Sequence, residues 1–184
     1  MEHEAHVPTR EDARARRAYL QALRPRHFPH VGEAFQVRWN DQDAYAHANN
    51  GSYTEWADHA INAYLHASTG FAPPSGVDGH VGLAVETRTA FLGQVSFPQR
   101  VRVAVGTARI GTSAVTYRCG VFADADVAGD AAPPRAVVDF THAFVSADDL
   151  TTVVPLSARM RAALAAIAMR DGGGGGDGTG GAHL

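Results

Sequence analysis

The sequence has one cysteine, no lysine and no long run of apolar residues. A single cysteine excludes an internal disulfide and any metal cluster held by several thiolates. No apolar stretch approaches the roughly 18 residues that a membrane-spanning helix needs, so we expect no membrane contact. The first residues, MEHEAHVPTRED, lack the apolar core of a signal peptide, which makes the cytoplasm the expected location.

Positive charge comes from 16 arginines that are spread along the chain. Residues 1–30 contain six arginines and four acidic residues, a net charge of +2, whereas residues 31–184 contain ten and fifteen, a net charge of −5. A nucleic-acid-binding domain is expected to gather its basic residues on one face, so we expect no nucleic-acid partner. The hydrophobic share of 45% in 184 residues instead predicts one packed domain with extensions.

Helical extensions are expected on both sides of the central residues 31–150. Within residues 1–30, a helix over residues 9–24 is capped by Thr9 and ended by Pro25. Its expected apolar stripe is Ala15, Ala18, Tyr19, Ala22 and Leu23. Residues 151–171 predict a second helix beginning at Pro155, with the stripe Leu156, Met160, Leu164 and Ile167. The tail over residues 172–184, GGGGGDGTGGAHL, is expected to be a disordered coil.

The central residues contain five segments in which apolar and polar positions alternate. Phe35, Val37 and Trp39 alternate with polar residues, which predicts a half-buried strand over residues 33–40. Four more strands are expected over residues 80–92, 97–108, 112–124 and 134–147. Their short connections predict antiparallel pairing, because a parallel crossover needs a dozen residues or more. Together with the helices, this predicts an α+β fold.

The strongest helix pattern covers Ser52 to Thr69. Ser52 and Glu55 are expected to form a capping box at its start, and Gly70 is a suitable stop. Apolar residues recur at helical spacing at Tyr53, Trp56, Ala57, Ala60, Ile61, Tyr64 and Leu65. A stripe this wide and aromatic predicts a helix that is buried against the sheet.

A polar stretch over residues 39–53, WNDQDAYAHANNGSY, joins the first strand to this helix. The unpaired N–H groups at a helix start, together with the helix dipole, can stabilise a developing oxyanion. Asp41 or Asp43 could act beside them as base or nucleophile. The alternative is that the Asp and Asn side chains only form turns and a helix cap.

The pattern strand–D-x-D-x-x-G-H-x-N-N-x-x-Y–helix resembles the hotdog-fold acyl-CoA thioesterases, in the branch that contains 4-hydroxybenzoyl-CoA thioesterase. Its positions here are Asp41, Asp43, Ala46, His47, Asn49, Asn50 and Tyr53. The later R-x-G-x-S-x-V segment over residues 109–115 is also similar, and the resemblance extends over residues 33–170. It implies an antiparallel sheet wrapped around the long central helix.

The resemblance also implies an activity and an assembly. The expected reaction is hydrolysis of an acyl-CoA or acyl-carrier thioester to a carboxylic acid and a free thiol. No metal and no redox cofactor are implied, and CoA enters as part of the substrate. The family's fold implies a homodimer or homotetramer, with the active site at a boundary between subunits.

The family's catalytic groups can be assigned to positions of this sequence. Asp43 corresponds to the catalytic carboxylate, which acts as nucleophile or as general base toward water. The backbone N–H groups around Asn50 and Gly51 would point at the thioester carbonyl. His47 is expected to orient the loop or polarise the substrate. Asp41 is interpreted as structural.

The substrate-binding residues implied by the resemblance are Tyr53, Arg109 and Ser113, with Arg109 suited to the CoA phosphates. One position departs from the pattern, because Ala46 replaces the usual glycine. If that position needs a positive φ, alanine is strained there by about 1 kcal/mol. A related branch takes its carboxylate from the central helix, where Glu55 and Asp58 are the candidates.

Two other functions stay open. A hotdog dehydratase or hydratase pairs an Asp with a His, as Asp43 and His47 would, but the sequence lacks a Gly-Asp-x-Asn-Pro run. A non-catalytic hotdog protein that binds an acyl ligand or a protein partner is compatible with the N-terminal extension, the glycine-rich tail and Ala46.

Overall fold

The computed structural model describes residues 10–169. Its helices are α1 (Arg10–Ala22), α2 (Asn50–Thr69), α3 (Asp124–Val127) and α4 (Ala158–Ala166). Its strands are β1 (His30–Val31), β2 (Phe35–Gln36), β3 (His80–Phe91), β4 (Arg100–Ile110), β5 (Ala114–Ala123) and β6 (Ala136–Ser146). The predictions for the Thr9 cap and for the tail over residues 172–184 lie outside the described residues. Between residues 10 and 169, no helix is long and apolar enough to cross a membrane.

The strands form one antiparallel sheet that wraps around α2. The strand order is β1-β4-β5-β6-β3, and β2 also pairs with β4. The helix packs into the concave face of this sheet, where Ile61 is fully buried and Trp56 is 5% exposed. The α+β class and the sheet wrapped around a central helix, which the sequence predicts, are confirmed.

The start of α2 differs from the predicted capping box. The N-cap is Asn49, whose side-chain oxygen accepts a hydrogen bond from the Gly51 N–H at 2.9 Å. Because this carboxamide caps the first turn, the helix begins two residues before Ser52. The Ser52 hydroxyl instead donates to the Asp41 carbonyl, and Glu55 is exposed. Gly70 ends the helix in the left-handed conformation, as predicted.

The strand predicted over residues 33–40 is reduced to the two residues of β2. A turn of 3₁₀ helix, Trp39–Asp41, follows it and breaks the alternation. Val37 is buried as expected, but the Trp39 side chain is 71% exposed and packs edge-on against Phe97. The prediction that Trp39 faces the core is therefore wrong.

Helix α1 covers the convex face of the sheet, with a different side inward from the predicted one. Tyr19 is 52% exposed, whereas Leu20 and Leu23 are buried against the outer sheet residues. Arg16 lies between helix and sheet, where it donates to Asp139 at 2.9 Å. This ion pair turns the arginine side of the helix toward the sheet, which the spacing of apolar residues alone could not indicate.

The last helix also begins later than predicted. Its N-cap is Ser157, which accepts from the Met160 N–H at 3.2 Å, so Pro155 precedes the helix. The predicted apolar stripe is nevertheless buried at Leu156, Met160, Leu164 and Ile167. The Thr107 hydroxyl donates to the Leu164 carbonyl and ties this helix to β4.

A buried histidine lies on the inner face of the sheet. His142 is 4% exposed, its ring contacts Tyr117, and its Nδ1 has no partner among residues 10–169. Burial lowers the pKa of this imidazole from about 6.5, and the Asp58 carboxylate partly offsets that shift. The folded protein therefore holds His142 uncharged near neutral pH.

We expect His142 to make the fold less stable in mild acid. Below pH 6.5 the unfolded chain takes up a proton that the folded chain resists, so the free energy of unfolding falls as pH falls. Between pH 7 and 5 the loss amounts to at most about 2 kcal/mol. Urea denaturation should show a smaller loss for His142→Leu than for wild type, and an unchanged loss for the exposed control His59→Gln. An equal loss in His142→Leu and wild type would contradict the assignment.

Candidate active site

The polar loop, residues 39–49, is held in place by the buried carboxylate of Asp41. Asp41 is 3% exposed and accepts hydrogen bonds from the Arg38 backbone N–H at 2.7 Å and from Arg38 Nε at 2.9 Å. Its carbonyl accepts from the Asn49 N–H at 2.7 Å. A carboxylate is buried in this way only when its charge is compensated. Asp41 therefore joins both ends of the loop.

Asp43 lies half-buried in the middle of this loop. Its Oδ1 accepts from the Tyr45 N–H at 2.8 Å, and its own N–H donates to the His47 carbonyl at 2.9 Å. Its Oδ2 has no hydrogen-bond partner within residues 10–169. One carboxylate oxygen thus builds an Asx turn, while the other is available for chemistry.

Ala46 adopts the left-handed conformation that the family's glycine suggests. Its φ is 59°, and its N–H donates to the Asp43 carbonyl at 3.1 Å. An alanine in this region costs roughly 1 kcal/mol or somewhat more. The turn around Asp43 is therefore formed with alanine at this position, and the hydrogen bond from the Asp43 N–H to the His47 carbonyl closes it.

The N-terminus of α2 follows directly after the loop, and its first N–H groups differ in availability. The Gly51 N–H is already used by the Asn49 side chain, and the Ser52 N–H donates to the Asn49 carbonyl at 3.0 Å. The Asn50 N–H has no acceptor in the described part of the chain. Of the two predicted oxyanion donors, Asn50 is the one left unpaired.

The segment between β3 and β4 packs against the loop from the other side. The Ala48 N–H donates to the Val95 carbonyl at 2.8 Å, and the Phe97 N–H donates to the Gln42 side chain at 3.1 Å. Sequence reasoning missed these contacts and the role of Arg38. The Arg38-x-x-Asp41 spacing was a possible signal for the arginine, but nothing local indicates Val95.

Tyr53 lies in the core beneath the loop. It is 3% exposed, and its ring contacts Trp56 and Phe91. Burial raises the pKa of the phenol, the Val95 N–H lowers it by donating to the phenol oxygen, and the charge of Asp43 raises it. Tyr53 therefore supports the loop from below rather than lining an open surface.

The remaining predicted site residues fall into two groups. His47 lies within the turn and contacts Asp43 through its backbone. Arg109 lies near the end of β4, and Ser113 lies in the turn that follows it. The start of β4 pairs with β2 next to the polar loop, so Arg109 is roughly 30 Å farther along the strand. Within one chain, the structure does not bring Arg109 and Ser113 next to Asp43.

Residues 37–164 match the family model of the thioesterase-like superfamily. This match includes the polar loop, α2 and the strands β3 to β6, and the chain belongs to this superfamily. No curated protein gives a significant match.

Solved structures show the same architecture. The PA5185 protein from Pseudomonas aeruginosa is 29% identical, with a TM-score of 0.71 over 79% of this chain and 96% of that one. A thioesterase-superfamily protein from Jannaschia sp. CCS1 is 21% identical, with a TM-score of 0.66 over 80% and 98% of the two chains. The gentisyl-coenzyme A thioesterase BH1999 is 18% identical, with a TM-score of 0.60 over 73% and 99%. These similarities support the hotdog fold. The match to the thioesterase-like superfamily supports thioester hydrolysis as the class of reaction.

Proposed function

We propose that the chain hydrolyses an acyl thioester of CoA or of an acyl carrier, with Asp43 as the reactive carboxylate. The observation that carries the proposal is the free Oδ2 of Asp43, which lies in the loop that leads into the unpaired Asn50 N–H. A carboxylate and an oxyanion donor are the two groups that thioester hydrolysis requires.

In the general-base route, Asp43 takes a proton from water while the water oxygen attacks the thioester carbon. The Asn50 N–H then stabilises the negative oxygen. The C–S bond breaks, and the proton held by Asp43 passes to the thiolate. In the nucleophilic route, Asp43 attacks the carbon itself and the C–S bond breaks to release the thiolate. Water then cleaves the acyl anhydride into the carboxylic acid and a protonated Asp43, whose proton passes to the thiolate. Both routes end in a carboxylic acid and a free thiol, with no metal or redox cofactor.

Positioning comes from residues that do not touch the reacting atoms. The Asp41 carboxylate holds Arg38 and the ends of the loop, and the His47 carbonyl holds the Asp43 N–H. We assign His47 this orienting role. Fixing the carboxylate before the substrate arrives removes reorganisation from the chemical step.

A second copy of the chain is proposed to complete the site. Among residues 10–169, no strand pairs with the outer edge of the twelve-residue strand β3, and Val85 in β3 is 61% exposed. Leu83 in the same strand is 39% exposed. A long apolar edge strand is a template for pairing with another chain. Arg109 and Ser113, which are remote from Asp43 within one chain, would then reach the thioester only from the partner.

The chain is expected to be a homodimer or homotetramer at micromolar concentration. Light scattering should give a mass of two or four times 19.5 kDa. Val85→Glu should shift the mass toward the monomer, because a charge would be buried at the paired edge. Val153→Glu is the matched control, since Val153 is 63% exposed outside β3. A wild-type mass near 19.5 kDa would contradict the assembly.

The activity is tested by thiol release from a panel of acyl-CoAs, measured with a thiol-reactive dye. The panel contains acetyl-, decanoyl-, benzoyl- and 4-hydroxybenzoyl-CoA. Release from at least one member is the expected result, and preference for the last would support the 4-hydroxybenzoyl-CoA branch. No release from any member, nor from an acyl carrier, would favour a non-catalytic hotdog protein instead.

A further inference from the structure

A cavity of about 630 Å³ lies between α2 and the broken sheet edge formed by β1 and β2. Its volume is within the range of small-molecule sites. Its apolar lining comes from Val31, Phe35, Trp56, Ala60, Ala63 and Val103. Of the residues that the sequence suggests for binding or reacting with substrate, Glu55 alone lines this cavity.

The cavity exists because the side chains of α2 become small where the sheet edge is interrupted. Trp56 packs edge-on against Phe35 at 5.5 Å, and one and two turns later the helix lines the cavity with Ala60 and Ala63, beside the exposed His59. Opposite them, β1 and β2 are two residues long each and are separated by residues 32–34. Neither element therefore fills the space between them.

One end of the cavity adjoins the candidate active site. Arg38 and Glu55 line this end, and Arg38 is the residue that holds Asp41 and thereby the polar loop. Trp56 lies six residues after Asn50, which corresponds to about 9 Å along the helix axis. A chain attached to a carbonyl at the Asn50 N–H can reach the cavity over this distance.

Charged groups are confined to the rim of the cavity. Glu33 and Glu55 are exposed there, and Arg38 is already paired with Asp41 and Glu55. His30 lines the cavity, and its ring contacts that of Tyr64 at a tilt of 53°. Burial lowers the pKa of this imidazole, which keeps it uncharged at neutral pH. An apolar lining with carboxylates at its rim disfavours an anionic group and accommodates a neutral apolar one.

We propose that this cavity binds the acyl chain of the thioester, and that the substrate carries a neutral, largely apolar acyl group. The inference rests on the proposed function for the identity of the ligand. Ligand binding in the cavity can be tested without turnover. A failure of the cavity proposal can therefore be distinguished from a failure of the proposed function.

The binding test uses Trp56, which lines the cavity, as a fluorescent reporter. Trp39→Phe removes the other tryptophan of the chain, which is exposed. In this background, ω-brominated decanol should quench Trp56 emission in a saturable way, and unbrominated decanol should compete. Absence of saturable quenching would overturn the cavity as an acyl site, whatever the enzyme hydrolyses.

Two alanine positions on α2 provide a matched pair of variants. Ala63 and Ala67 are both exposed and lie one turn apart, but only Ala63 lines the cavity. Ala63→Phe should abolish the quenching, and Ala67→Phe should leave it intact, while both keep the wild-type circular dichroism. If Ala63→Phe lowers the mass of the assembly and does not change the quenching, the face is an interface between copies and the proposal fails.

The kinetic test compares decanoyl-CoA with acetyl-CoA. Ala63→Phe should raise KM for decanoyl-CoA by about tenfold or more, the effect expected when about two methylenes lose their burial, and should change acetyl-CoA hydrolysis less than about twofold. Ala67→Phe should change neither. Equal effects on both esters would overturn the proposal. If wild type hydrolyses no thioester but Trp56 is quenched as expected, the proposed function fails and the cavity remains an apolar ligand site.

Discussion

Asp43→Asn is expected to lower thioester turnover by about 10²-fold or more, the size of effect typical of a lost acid–base group. The amide keeps the shape of the side chain, and its oxygen can still accept the hydrogen bond from the Tyr45 N–H. It can neither deprotonate water nor attack the thioester. The loop and the affinity for the CoA ester should therefore stay close to wild type.

Asp41→Asn is the matched control, because it makes the same change two residues earlier in the same loop. Asp41 accepts from the Arg38 backbone and side chain, so the loss of its charge weakens a charge-assisted contact. We expect a fall in the free energy of unfolding of about 1–3 kcal/mol and a smaller, mixed effect on turnover.

Steady-state kinetics and urea denaturation on both variants separate the two roles. Wild-type turnover in Asp43→Asn would show that the catalytic assignment is wrong. The reactive carboxylate would then be sought on the central helix, at Glu55 or Asp58. Glu55 is exposed beside Arg38, and Asp58 accepts from the Asn62 side chain at 3.1 Å.

The parts of the fold that sequence reasoning predicts well are those in which one period extends over many residues. Alternation over ten or more residues indicates β4, β5 and β6, and the helical stripe from Tyr53 to Leu65 indicates the buried side of α2. Trp39 is predicted poorly, because the strand pattern there covers only a few residues before a 3₁₀ turn. The extent of α1 is predicted well, but the side that faces the sheet is not, because the partner of Arg16 is Asp139, more than a hundred residues away.

The candidate site shows the same division between local pattern and distant contact. The polar residues from Asp41 to Asn50 could be recognised as a unit, because they share one short motif. The sequence does not indicate which N–H group at the start of α2 is unpaired, because Asn49 and Ser52 are both acceptable N-caps. The contacts of Val95 with Ala48 and the cavity beside Ala60 depend on segments that meet only in the folded chain.

Ile61→Ala is expected to lower the free energy of unfolding by about 2–5 kcal/mol. Ile61 has no exposed surface and lies on the side of α2 that faces the curved sheet, so its removal leaves a cavity that the surrounding strands can fill only partly. Ile110→Ala is the matched control, because this half-buried isoleucine at the end of β4 packs only at the border of the core. Its loss should cost about 1 kcal/mol, since fewer apolar contacts are removed. Urea midpoints with unchanged m-values would measure both effects. A midpoint for Ile61→Ala equal to that of wild type would contradict a helix enclosed by the sheet.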